Sequence, residues 1–231
     1  APTAQEVYTK WAEAPGAMHP DYGGLIVDEF ITASPAHFAA WGDAVGKLYE
    51  DSRFAGKTFY AFCGDLHEDA HSLEFARGLM AKNGLFALER YIAEEPTQDI
   101  ATGWIQQQFP ETVQAWQSAL PGSPERLVMV LGILCAPPES VDTLPNVNYN
   151  VLQEMQFNRI ANDPACFGLY GLMEYSASYA DEESLRFAYQ LMRHYAIEGR
   201  RDRLLKEPYI LDHVDNPDFA EGLKGWTVEA A

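Results

Sequence analysis

Cysteine is scarce in this chain: three residues, Cys63, Cys135 and Cys166, among 231. An odd, low count does not make a disulfide framework, and it leaves the redox compartment open. Cations are also few, with 16 Lys and Arg against 34 Asp and Glu, a net charge of -18 and a pI near 4.6. Such a chain is repelled by phosphate backbones and anionic lipid, so neither nucleic acid nor a membrane surface is an expected partner. No run approaches the roughly 18 apolar residues of a membrane helix. The opening residues Ala1 to Glu6 carry neither the basic start nor the apolar core of a signal peptide. Also missing are a Gly-x-Gly-x-x-Gly or Walker loop after any apolar run, which weakens a nucleotide-binding reading. The Gly-x-Ser-x-Gly elbow of acyl-transfer enzymes is missing too.

What the chain does have is a repeated unit: apolar run, polar residues at its end, amphipathic stretch. Hydrophobic residues make up 47%, enough for a substantial core. Continuous Leu, Ile and Val runs suit parallel strands covered on both faces. Strands are predicted at Gly24–Phe30, Thr58–Cys63, Leu85–Tyr91, Leu127–Leu134 and Phe167–Tyr175. Between them, helices are predicted from Pro35 with a buried stripe of Phe38, Trp41, Val45, Leu48 and Tyr49, from about Asp69 to Lys82, from after Thr97 to about Leu120, over 151–162 and over 181–198, after an opening helix at 4–14. Ser34-Pro35 reads as a helix start, and Asn83-Gly84 as a helix end. Five alternating units imply an α/β fold with parallel strands and right-handed crossovers. A (β/α) barrel is favoured over a doubly wound sheet, because acids and aromatics recur at strand ends. A closed barrel has eight units, so five imply a partial one.

The strand-end acids are Asp28, Glu29, Asp65, Glu89 and Glu174, with Glu139 a few residues beyond the fourth strand. Two carboxyls in one cleft can divide acid and base work when burial lifts one pKa and leaves the other ionised. Glycoside hydrolysis requires that arrangement. A strand-end acid can equally cap the next helix or pair with an arginine.

The run Gly24-Leu-Ile-Val-Asp-Glu-Phe30, the end Leu88-Glu89-Arg90-Tyr91 and the run Gly168-Leu-Tyr-Gly-Leu-Met-Glu-Tyr175 resemble the later strands of TIM-barrel glycoside hydrolases. The tail from Asn216-Pro-Asp-Phe to Gly225-Trp226-Thr227 resembles the opening of a β-sandwich module of the kind attached to such enzymes. The resemblance implies a hydrolase domain over 1–199, and a linker with the start of that module over 200–231, within a longer polypeptide. Counted back from the tail, Gly24–Phe30 takes the place of the barrel's fourth strand. Glu29 then matches the acid/base of the large retaining clan. The nucleophile of that clan ends the seventh strand, where this chain has Gly132-Ile-Leu-Cys-Ala136 and no acid. Glu174 or Glu89 is therefore the candidate second carboxylate. Candidate sugar contacts are Asp28, Asp65, His67, Tyr91, Tyr175 and Asn148. The implied substrate is a carbohydrate, no cofactor is required, and an extracellular or periplasmic location is favoured.

Two other readings stand beside this one. His67-Glu68-Asp69-Ala70-His71 fits His-Glu-x-x-His, in which two helical His four apart bind Zn²⁺ and the Glu acts as base. A third ligand could be Glu94 or Glu95. The other is a barrel-derived domain that binds glycan or serves as a scaffold without turnover.

Overall fold

In a computed structural model of the chain, the described residues are 1–30, 34–176, 178–211, 215–216 and 219–228; for Glu29 the backbone alone is described. The Glu29 side chain, and Pro217 and Asp218 of the tail motif, therefore lie outside the described residues. The fold is α/β, with five parallel strands in the order β1-β2-β3-β4-β5 curled into a half-barrel. The strands are β1 Gly24–Phe30, β2 Thr58–Cys63, β3 Leu85–Arg90, β4 Leu127–Gly132 and β5 Gly171–Tyr175. The helices are α1 Ala4–Ala12, α2 Pro35–Glu50, α3 Ala70–Ala81, α4 Gln98–Gln106, α5 Thr112–Ala119, α6 Tyr149–Asn162 and α7 Glu182–Leu191.

Local chemistry sets these boundaries. Thr3 and Glu6 form a reciprocal capping box on α1. Ser34, Asp69, Thr97, Asn148 and Asp181 each cap the helix that follows by accepting a backbone N–H. α3 closes with Asn83 at φ 61°, the Asn83 N–H bonded to the Met80 carbonyl and the Gly84 N–H to the Leu79 carbonyl. A β-carbon on Gly84 would lie 2.1 Å from Leu79 Cδ1, so the turn requires glycine. The single helix expected up to Leu120 is interrupted. Pro110 lacks an N–H, and the chain widens into a π-helical turn over Gln107–Glu111, where the Thr112 hydroxyl donates to the Gln107 carbonyl at 3.0 Å. A second π-helical turn, Met192–Ile197, follows α7.

The chain divides into two compact units. The first comprises Ala1–Glu89, Val113–Val130 and Gly168–Met173. Its core is aromatic: Phe30 stacks on Phe75 at 5.0 Å and meets Trp41 edge-on at 5.1 Å, while Phe86 packs on Trp116 at 5.1 Å. Such contacts add about 0.5–1.5 kcal/mol each to the burial of the rings. The β1–β2 register pairs Val27 with Ala61 and Phe30 with Cys63, leaving Asp28 and Glu29 opposite Phe62 alone. This is a β-bulge, a device that re-aims side chains at a strand end.

The second unit comprises Arg90–Thr112, Leu131–Phe167 and Glu174–Ala231. Within it α6 buries Glu154 completely. That carboxylate accepts from the Tyr195 hydroxyl at 2.9 Å and from the Leu204 and Leu205 amides. Tyr209, also buried, exchanges two hydrogen bonds with the Glu95 backbone, and Val147 bridges Ile210 antiparallel. Residues 200–211, read from sequence as linker, are thus anchored in this unit.

Candidate active site

In α/β folds, chemistry gathers at the carboxyl ends of parallel strands. In the second unit those ends supply an aromatic pair and a half-buried acid. Tyr91 follows β3 and stacks on Tyr175, the last residue of β5, with centroids 5.5 Å apart and planes 17° apart. Gly132, at the end of β4, makes room for this pair, since a β-carbon there would fall 2.7 Å from the Tyr91 ring. The Ile133 N–H donates to the Tyr175 carbonyl at 2.8 Å, and the Cys135 and Ala136 N–H groups donate to the Tyr179 carbonyl at 2.7 and 2.9 Å. Arg90 is buried, and its Nε donates to the Gln108 carbonyl at 3.2 Å.

Glu174 precedes Tyr175 in β5. Its side chain is half-buried, and its Oε1 is enclosed without a hydrogen-bond partner among the described residues. Burial alone pushes its carboxyl up to about 7. A carboxyl held in that state is about half protonated at neutral pH and can give its proton up.

Glu94 is the residue the sequence reading undervalued. It is 5% exposed, and its Oε2 accepts from the Thr143 and Leu144 amides at 2.8 and 2.6 Å. Burial, partly offset by those amides, raises its carboxyl to about 7. Burial raises the carboxyl of Asp142, the residue before Thr143, as well. The available signal was Ile92, an apolar residue that carries the buried run past Tyr91 toward Glu94.

Asn148, a proposed sugar contact, caps α6, accepting from the Val151 amide at 3.3 Å and donating its own N–H to the Tyr209 carbonyl at 2.8 Å. Glu139 is exposed beyond the two prolines that follow β4.

In the first unit, Asp28 is exposed on β1 and Glu89 is half-buried at the penultimate position of β3. Asp65 and His67 are brought together after β2, with Nδ1 to Oδ1 at 3.6 Å, and the His67 ring packs on Trp116 at 5.3 Å. His67 precedes α3, whereas His71 lies exposed in its first turn beneath the Asp69 cap. The two imidazoles therefore do not share the helix face that His-Glu-x-x-His requires. Among the described residues no group of three or more His, Cys, Asp or Glu side chains is placed to hold a metal ion. No protein-family model, curated protein or solved structure matches this chain.

Proposed function

We propose that the chain is a TIM-barrel-type glycoside hydrolase domain that cleaves the glycosidic bonds of a carbohydrate with paired carboxyls. The observation that carries this reading is Glu174, a strand-end carboxyl kept protonated near neutrality by burial. A general acid needs that property. Glu174 passes its proton to the glycosidic oxygen as the bond from the anomeric carbon to that oxygen breaks. A second carboxylate completes the pair. It either takes a proton from the attacking water or attacks the anomeric carbon and forms an ester that water then opens. A separation of about 5–5.5 Å between the two carboxyls goes with retention, and about 6.5–9.5 Å with inversion. The ring faces of Tyr91 and Tyr175 offer apolar surface to the sugar.

The test is release of reducing ends or aryl alcohol from a panel of aryl α- and β-glycosides and polysaccharides. Glu174→Gln should lower kcat by about 100-fold or more, the usual scale for losing a positioned proton donor. The parent's rate should fall above pH 7 as Glu174 loses its proton. Turnover left intact in Glu174→Gln, Glu89→Gln and Glu29→Gln would refute the mechanism. The stacked Tyr91–Tyr175 pair also supports a non-catalytic glycan-binding domain. Saturable glycan binding that Tyr91→Ala abolishes, with no hydrolysis by the parent, would establish that reading instead.

A further inference from the structure

The second unit holds a cavity of about 490 Å³ between α4 and α6, lined by none of the strand-end acids. That volume lies within the usual range for a small-molecule site. Two guanidinium groups line it, Arg159 from α6 and Arg203 from the segment after the last helix. In a chain with a net charge of -18, two cations facing one cavity stand out.

Neither guanidinium is saturated. Arg159 Nη1 is 3.6 Å from Asp163, and Arg203 Nε is 3.6 Å from Glu154. Both distances are too long for hydrogen bonds, and among the described residues neither side chain makes one. Neighbouring cations are engaged elsewhere: Arg200 bonds Asp202, and Arg201 lies over the Phe167 ring at 4.7 Å. Asp163 also lines the cavity and offsets part of the positive charge.

The carboxamides have a fixed polarity. Asn158 Nδ2 donates to the Tyr195 hydroxyl at 3.2 Å and the Arg201 carbonyl at 3.1 Å, and Asn162 Nδ2 donates to the Asn158 and Arg201 carbonyls at 2.9 and 3.1 Å. Their N–H groups are occupied, which leaves the Oδ1 atoms as acceptors. The lining thus offers forked donors for a carboxylate and acceptors for hydroxyl groups. A bare phosphate ion has little use for the acceptors, and a neutral sugar leaves the forks unmatched.

We propose that this cavity binds a sugar acid, its carboxylate held by Arg159 and Arg203 and its hydroxyls donated to Asn158 and Asn162. The site is independent of the reaction proposed at the strand ends.

Isothermal titration calorimetry of the full chain at fixed ionic strength, with D-galacturonate, D-galactose and inorganic phosphate as separate probes, tests it. Galacturonate should bind saturably, and galactose and phosphate at least about tenfold more weakly. Arg203→Gln should weaken galacturonate binding by about tenfold or more, and Arg203→Lys should not restore it, since an ammonium lacks the fork. Glu154 keeps the Tyr195 hydroxyl and two amides in these variants, and near-ultraviolet circular dichroism checks that the fold is retained. Arg186→Gln, which removes a surface partner of Glu182, should leave binding unchanged. Equal affinity for galactose or for phosphate, no saturable binding of galacturonate, or unaltered binding in Arg203→Gln would overturn the proposal.

Discussion

Replacing Glu174 with glutamine should make the chain more stable at alkaline pH and leave it unchanged at acidic pH. The Glu174 carboxyl, ordinarily near 4.5, is held near 7 by burial. Between those values the folded chain keeps a proton that the unfolded chain has released. Stability linked to this group is therefore complete below pH 4.5 and is lost as pH rises through 7. A tenfold change in proton affinity is worth about 1.4 kcal/mol, and the partial exposure of the side chain brings the whole penalty to about 1–2 kcal/mol. Glutamine keeps the shape and stays neutral at every pH, so it removes the penalty. Urea unfolding followed by tryptophan fluorescence at pH 4.5, 6, 7 and 8 reads the difference directly. At pH 8 the variant should be more stable by about 1–2 kcal/mol, or roughly 2–8 °C in Tm for a chain of this size. Parallel stability profiles for parent and variant across the whole range would refute the assignment of a buried, protonated carboxyl.

Gly132→Ala should drive Tyr91 off Tyr175 and cost about 1–3 kcal/mol, seen as a lower urea midpoint and an altered near-ultraviolet spectrum. Glu154→Ala should cost about 2–4 kcal/mol, because the Leu204 and Leu205 amides lose their acceptor, and limited proteolysis should then cut within 200–211. His67→Ala should lower stability by about 1 kcal/mol or more through its contact with Trp116, whereas exposed His71→Ala should stay within about 0.5 kcal/mol of the parent in the same unfolding assay.

The fold was legible wherever burial and backbone geometry change at the same residue. β1 and β2 begin and end where the sequence places them, because Gly24 and Thr58 open apolar runs and Phe30 and Cys63 close them. β4 was read two residues too long. Ile133 and Leu134 are as buried as the strand but lie beyond it, and hydrophobicity reports burial rather than pairing. β5 was begun too early, since Gly168 takes a left-handed φ of 93° and the strand starts at Gly171. Among the candidate residues, Glu174 could be picked out as a strand-end acid because it lies at the close of an apolar run. The partners of Glu94, the Thr143 and Leu144 amides, could not, because they lie on a loop far away in sequence, and periodicity carries no signal of loop packing. Asn148 was named for its chemistry, but that chemistry is used to start a helix.

The burial of Glu154 bears on the order of events during synthesis. Its amide partner Leu204 lies 50 residues downstream. At roughly 5–20 residues per second, the carboxylate waits about 3–10 s before that partner has been made. Until then α6 carries a polar group whose place in the interior is not yet built, and hydration holds that face of the helix open. The Glu154 site therefore closes only once residues 204 and 205 have been made, and a pause in translation between residues 154 and 204 prolongs its exposure.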